Sequence, residues 1–208
     1  MKNYSVPMAL VDFVPVMLFA VTSIILQRDL YNKMSKGAFA LFAVGTVDII
    51  CAGVAKALYK LLYAAGICDF QPLNTMFFPL QSIGFLLAGI GIIAMICHRQ
   101  TKDAALCFAA PPVFTGTFIF VSFMIVGLGL ICGALAVVAV KMKKPALIIL
   151  FVLSFFCYLS MGYLSAKDFT TSYMNWIAQG INLVATAMLF YGVIVLHKAG
   201  LAELIIKK

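Results

Sequence analysis

Charged residues are scarce in this chain: 11% of its 208 residues are Asp, Glu, Lys or Arg, whereas 64% are hydrophobic. Together with a mean hydropathy of +1.11, this composition excludes a soluble domain and is typical of a polytopic membrane protein. The 15 Lys and Arg residues outnumber the 7 acids, but they stand singly or in short clusters between apolar runs, as membrane-flanking cations do. We therefore expect the lipid bilayer as a partner, and no nucleic acid.

The residues on which most catalytic and metal sites depend are few and unsuitably spaced. The 2 histidines lie at the ends of apolar runs, and the 6 cysteines contain no C-x-x-C pair and no metal-ligand spacing. The chain contains neither G-x-S-x-G nor H-E-x-x-H, and most of its acids lie in or near loops and tails. The sequence therefore predicts no catalytic residue, no metal and no cofactor.

Apolar runs predict an all-α fold, with six transmembrane helices in a single domain that covers residues 1–208. Each run is long enough to cross about 30 Å of hydrocarbon as a helix. The six predicted spans lie within 7–27, 37–66, 70–97 (with an irregular start around Pro79), 115–140, 145–166 and 169–196. The stretch 104–114 and the tail 199–208 are predicted to lie at the membrane surface.

Matching loop sequences in the two halves indicate an internal repeat. The sequence KMSKGA at 33–38 corresponds to KMKKPA at 141–146, and Asp-Phe precedes a histidine by the same interval at 69–98 and 168–197. The predicted repeats cover about 7–98 and 112–198, with three spans each. Because three is odd, we expect the second repeat to be inverted, as in many secondary transporters. The Lys and Arg distribution then favours a cell-membrane protein with both termini in the cytoplasm.

One carboxylate, Asp48, stands within the otherwise uncharged run 37–55. It lies about 16 Å along a helix that begins at Gly37, near the membrane midplane. An acid at that depth costs about 2.5–3.5 kcal/mol on insertion scales. The repeat places Phe156 at the corresponding position, so we predict Asp48 to be a proton or cation site in one repeat. The alternative is a protonated Asp48 that bonds a neighbouring helix.

Six further polar residues complete the candidate site. They either line a substrate or ion path or join neighbouring helices by hydrogen bonds. They are Gln81, Ser82, Asn175, Gln179, Asn182 and Asp12, the last near a membrane interface. Three glycines, Gly127, Gly129 and Gly133, are predicted to form a packing face, either inside the bundle or in a homodimer. Lys56, Tyr59, Lys60 and Tyr63 are expected at the membrane–water boundary.

These features favour a small transporter or channel-like carrier for a small solute or ion. One alternative is a non-transporting sensor or assembly subunit that packs against other membrane proteins through its glycine-rich faces. A membrane-embedded enzyme that modifies lipid is the third hypothesis.

Overall fold

The structure is a computed structural model, and it describes residues 4–97, 117–165 and 172–204. Every regular element in these ranges is helical, which confirms the all-α class. The α-helices in chain order are α1 (Val6–Val11), α2 (Phe13–Leu30), α3 (Lys36–Ala64), α4 (Gln71–Cys97), α5 (Thr117–Lys141), α6 (Ala146–Ser165) and α7 (Ser172–Lys198). Two short 3-10 turns, Tyr31–Lys33 and Leu201–Glu203, follow α2 and α7.

Within the described ranges, five helical segments are long and apolar enough to cross a membrane. They are Val6–Lys33, Lys36–Ala64, Gln71–Cys97, Ile119–Lys141 and Tyr173–Lys198, and Ala146–Met161 forms a shorter apolar helix. The first segment joins α1 to α2 across Asp12, three residues before Pro15, which has no N–H to donate to the carbonyl of Val11. The chain therefore has the helices of a multi-pass membrane protein.

Helix α4 starts earlier than its sequence suggested. It begins at Gln71 and continues through Pro79, so the irregular start expected around Pro79 is wrong. Helices in apolar surroundings tolerate an internal proline when neighbouring groups satisfy the freed backbone carbonyl. At the next helix upstream, Ser35 caps α3 by accepting a hydrogen bond from the Ala38 N–H, at 3.2 Å.

The long helices form a ring, in which each packs against the next in sequence and α7 closes on α2. Within this ring α4 and α5 run in the same direction. Phe78 near the start of α4 meets Phe120 near the start of α5, with ring centroids 6.4 Å apart, and Gly89 contacts Gly127 farther along both helices. Cys97 and Thr117 therefore lie at opposite ends of the bundle.

Helices α2 and α7 are also parallel. The carbonyl of Met8 accepts a hydrogen bond from Gln179 at 3.0 Å, and Asp29 meets His197 at 2.6 Å. The series α2–α3–α4 and α5–α6–α7 therefore alternate in direction in the same order, and the inversion expected of the second half is wrong. That expectation required α5 to begin where α4 ends. The nineteen residues 98–116 between them reach up to about 60 Å when extended, which exceeds the length of α4.

The two ends of the bundle differ in charge. We call one the basic end; it comprises 28–36, 141–146 and 197–204. The other, the N-terminal end, comprises 4–12, 60–74, 117–120 and 172–176. Of the nine Lys and Arg in the described ranges, seven lie at the basic end and two, Lys56 and Lys60, lie toward the other. Tyr4 and Leu204, the first and last described residues, lie at opposite ends of the bundle, which does not support the expectation that both termini share one face.

An apolar core fills the half of the bundle next to the basic end. Every long helix contributes to it, through residues that include Leu26, Phe42, Ile92, Leu135, Phe151 and Leu196. Leu201, in the tail expected at the membrane surface, is 1% exposed and belongs to this core. The stub predicted at 104–114 and the Asp168-Phe169 and His98-Arg99 pairs of the repeat lie outside the described residues.

Candidate functional site

A cavity of about 450 Å³ occupies the other half of the bundle, toward the N-terminal end. All six long helices contribute to its lining, and its volume lies within the range of about 300–1,000 Å³ that small-molecule sites have. Its polar lining residues are Tyr4, Asp12, Lys56, Lys60, Asn74, Gln81, Tyr158, Asn175, Gln179, Asn182 and Thr186. Both halves of the chain therefore supply polar groups to one space.

An ion pair joins α2 to α3 at this cavity. Lys60 Nζ lies 2.5 Å from Asp12 Oδ2, and the two side chains are only 9% and 13% exposed. The Tyr4 ring covers the same ammonium group, 5.5 Å from its centroid. Lys60 and the neighbouring Tyr59, at 0% exposure, are thus buried in the protein, and their expected depth at the membrane–water boundary stays a prediction.

Lys56 lies one helical turn before Lys60, on the same side of α3. Its Nζ is 3.9 Å from the centroid of the Phe77 ring, in a cation–π arrangement with α4. Within the described part of the chain no carboxylate lies within 4.0 Å of this ammonium group. Lys56 therefore lines the cavity, and its ammonium group lies against the face of the Phe77 ring.

Helix α7 presents a polar stripe to the cavity. Asn175, Gln179, Asn182 and Thr186 recur at intervals of three or four residues, which places them on one face of the helix. Gln179 Oε1 is buried without a hydrogen-bond partner in the described residues. The Thr186 hydroxyl is 2.7 Å from Tyr158 Oη and donates to the carbonyl of Asn182 at 2.8 Å, which fixes the α6–α7 side of the wall.

Three aromatic rings lie where the cavity meets the apolar core. Phe85 is 2% exposed; its ring centroid lies 6.2 Å from that of Phe19 and 6.3 Å from that of Tyr158, both in edge-on contacts. Such edge-to-face pairs are favourable beyond the area that they bury. The cavity therefore ends at an aromatic floor formed by α2, α4 and α6.

Asp48 does not line this cavity. Its Cβ lies beside α4, 3.1 Å from where a Cβ on Gly84 would stand, and its side chain is partly exposed on the outside of the bundle. Among the described residues we find no hydrogen bond or ion pair to its carboxylate. Ser82 does not line the cavity either; its hydroxyl donates to the carbonyl of Phe78 at 2.7 Å within α4. The functional role of Asp48 stays a prediction.

The other polar residues predicted from the sequence are brought together. Asp12, Gln81, Asn175, Gln179 and Asn182 all line the cavity. Sequence reasoning missed Lys56, Lys60, Asn74, Tyr158 and Thr186 as lining residues. Lys56 and Lys60 are four residues apart, and this spacing could have predicted that both lie on the same face of α3.

The glycine face of α5 is split between two surroundings. A Cβ on Gly89 would lie 2.6 Å from the carbonyl oxygen of Gly127, so α4 and α5 touch there through their backbones. Gly129 meets only the edge of the Phe155 ring, 3.5 Å from its virtual Cβ, and Gly133 faces open space. The close approach expected at Gly133 inside the bundle is therefore wrong, and the homodimer contact stays a prediction.

A second polar cluster lies at the basic end, beyond the apolar core. Asp29 is 3% exposed, and its Oδ2 is 2.6 Å from His197 Nδ1. Arg28 Nη2 lies 3.2 Å from His197 Nε2. This cluster ties α2 to α7, the helix pair that closes the ring, at the end of the bundle farthest from the cavity.

No protein-family model, no curated protein and no solved structure matches the chain. Within residues 4–97, 117–165 and 172–204, no group of three His, Cys, Asp or Glu side chains lies close enough to hold a metal ion. The chemical content of the site is therefore an ion pair, a second cation, neutral amides and hydroxyls, and aromatic walls.

Proposed function

We propose that the protein is a six-span membrane carrier that binds a small solute in the cavity between its two halves. In this proposal the shorter helix α6 also crosses the membrane and brings the number of spans to six. The two halves are then three-helix repeats related by an axis along the membrane normal, an arrangement known among transporters. The observation that carries the proposal is the one-sided polar cavity, to which both halves contribute.

The distribution of polar and apolar groups suits such a carrier. A carrier exposes its site to one side of the membrane at a time, so one end must be sealed while the other is accessible. Here the aromatic floor and the apolar core lie between the cavity and the basic end. The Asp29–His197 contact between α2 and α7 lies beyond that seal.

Charge supports an orientation in a cell membrane. Lys and Arg accumulate on the cytoplasmic side of membrane proteins, and seven of the nine described basic residues lie at the basic end. We therefore assign the basic end to the cytoplasm and the cavity to the outer side, which makes this structure the outward-facing state.

Sided thiol labelling tests the proposal. In a cysteine-free background, Asn182→Cys places a thiol in the cavity, and Ser82→Cys, buried inside α4, is the matched control. We expect an impermeant reagent to label Asn182→Cys rapidly from the N-terminal-end side and slowly from the other side, because the inward-facing state is a minor population. Ser82→Cys should resist labelling from both sides.

Closing the basic end gives the second arm of this test. A short bifunctional thiol crosslinker between Asp29→Cys and His197→Cys should abolish the slow labelling and leave the fast labelling intact. Labelling of Asn182→Cys from one side alone, before crosslinking and at all times, would contradict a carrier and favour a sensor with a one-sided pocket.

An assembly subunit is the second candidate, favoured by the open face at Gly133. This glycine lies between Val126, Val137 and Val140, which are 51%, 41% and 55% exposed. In a membrane such a small-residue face permits close contact with a helix of another chain. The two functions are compatible if a carrier forms a homodimer through α5.

A further inference from the structure

Charge in the cavity is unbalanced. Among the described residues its lining contains three charged side chains, Asp12, Lys56 and Lys60. Asp12 is committed to Lys60 at 2.5 Å, so the cavity retains the positive charge of Lys56. The Phe77 ring at 3.9 Å stabilises that ammonium group only partly, because a cation–π contact is weaker than a desolvated ion pair.

The remaining walls around and below Lys56 are mostly apolar. Phe77 lies beside it on α4, Phe78 also lines the cavity, and Phe19 and Phe85 form the floor. Ile49, which also lines the cavity, is seven residues from Lys56 on α3, or about 10 Å deeper along the helix. The cavity therefore offers a cation toward the N-terminal end and an apolar space of about that length beneath it.

We infer that the solute of this carrier is a small organic anion whose carboxylate pairs with Lys56 and whose apolar body lies against Phe19, Phe78 and Phe85. This inference rests on the proposed carrier function and adds its substrate class. The ammonium group gains the anionic partner that the described residues do not supply, and the neutral amides of Asn74 and Gln81, which line the same cavity, can donate hydrogen bonds to a carboxylate.

Binding of three probes of equal size and different charge tests the inference. The full chain in detergent is titrated with 3-phenylpropionate, 3-phenylpropionamide and 3-phenylpropylamine, and affinity is measured by calorimetry. We expect the anion to bind at least about tenfold more tightly than the amide or the amine, the scale of one charge-assisted hydrogen bond.

Variants at one position connect this preference to Lys56. Lys56→Met keeps much of the apolar stem and should lose the anion preference, whereas Lys56→Arg should keep it. Lys141→Met, at the exposed basic end, is the matched control and should behave as wild type. Melting temperature and elution volume verify that each variant is folded.

The opposite results overturn the inference in distinguishable ways. Tighter binding of the amine or the amide, equal binding of all three probes or no binding at all would each contradict an anionic solute. An anion preference that survives in Lys56→Met would remove Lys56 as its cause. None of these results changes the sided labelling of Asn182→Cys, which tests the carrier function separately.

Discussion

At the scale of residues, the Asp12–Lys60 pair joins α2 to α3 through two opposite charges at the cavity. Both groups are largely removed from water, so neither is well solvated if the other is lost. Burying such a pair gives little net stability compared with an apolar pair of similar volume, but removing one partner leaves an uncompensated buried charge. The pair therefore affects stability mainly when one partner is removed, because the other charge then stays buried without a counter-charge.

Asp12→Asn should accordingly lower the free energy of unfolding by about 3–5 kcal/mol, because Lys60 then remains buried without a counter-charge. The double variant Asp12→Leu/Lys60→Met should recover most of that loss. Denaturation in detergent at neutral pH measures both. An Asp12→Asn protein as stable as wild type would show that Lys60 reaches water by another route.

Asp48 should be dispensable for solute binding. Asp48→Asn and Asp48→Leu are expected to bind 3-phenylpropionate with wild-type affinity, because the carboxylate lies outside the cavity. Calorimetry with the same probe measures this. A large loss of affinity in Asp48→Asn, with unchanged melting temperature, would instead support the ion-coupling role that its midplane position suggested.

Asp48, Lys56 and Lys60 show what the sequence could not predict about single residues. All three lie on α3, and composition makes each of them unusual in an apolar helix. At 100° per residue, however, Asp48 is rotated about 80° from Lys56, and only the packed structure fixes which direction points inward. Three of the four members of the polar stripe on α7, Asn175, Gln179 and Asn182, could be predicted, because they share one helical face.

At the scale of elements, backbone contact between α3, α4 and α5 depends on a few glycines. A Cβ on Gly45 would lie 2.5 Å from the carbonyl oxygen of Gly84, and the Gly89–Gly127 contact is similarly close. Without such residues the helices separate, since side chains cannot interdigitate at that distance. This seam also holds Phe85 of α4 at the cavity floor.

Gly127→Ala should destabilise the protein by about 1–3 kcal/mol, because the added methyl group meets the backbone of α4 at Phe85. Gly133→Ala, on the same helix, should be neutral or slightly stabilising, since alanine favours helix and the site is open. Melting temperatures of the two variants give the comparison. Equal effects would contradict the packing of α5 on α4.

The helices themselves could be largely predicted. The spans expected at 115–140 and 145–166 correspond to Thr117–Lys141 and Ala146–Ser165, because lysines bound both apolar runs. The failure at Pro79 has a physical basis: a proline predicts a break from local chemistry, whereas the surroundings of α4 let the helix continue.

At the scale of the whole molecule, helix direction is the feature that sequence could not supply. Counting spans gives direction only if each begins where the last ended, and α5 does not. The corrected directions sharpen the charge asymmetry, since the lysine-rich stretches 33–36 and 141–144 now lie at one end. The cavity then lies between two similarly oriented halves, toward the end with few basic residues.

Sided labelling of three cysteine variants tests this account most directly. In a cysteine-free background, Lys36→Cys and Lys144→Cys mark the two lysine-rich stretches, and Asn182→Cys marks the cavity. In sealed vesicles of known orientation, an impermeant thiol reagent should label Lys36→Cys and Lys144→Cys from the same, cytoplasmic side, and Asn182→Cys faster from the other side. Labelling of Lys36→Cys and Lys144→Cys from opposite sides would contradict the parallel halves and the one-sided cavity built on them.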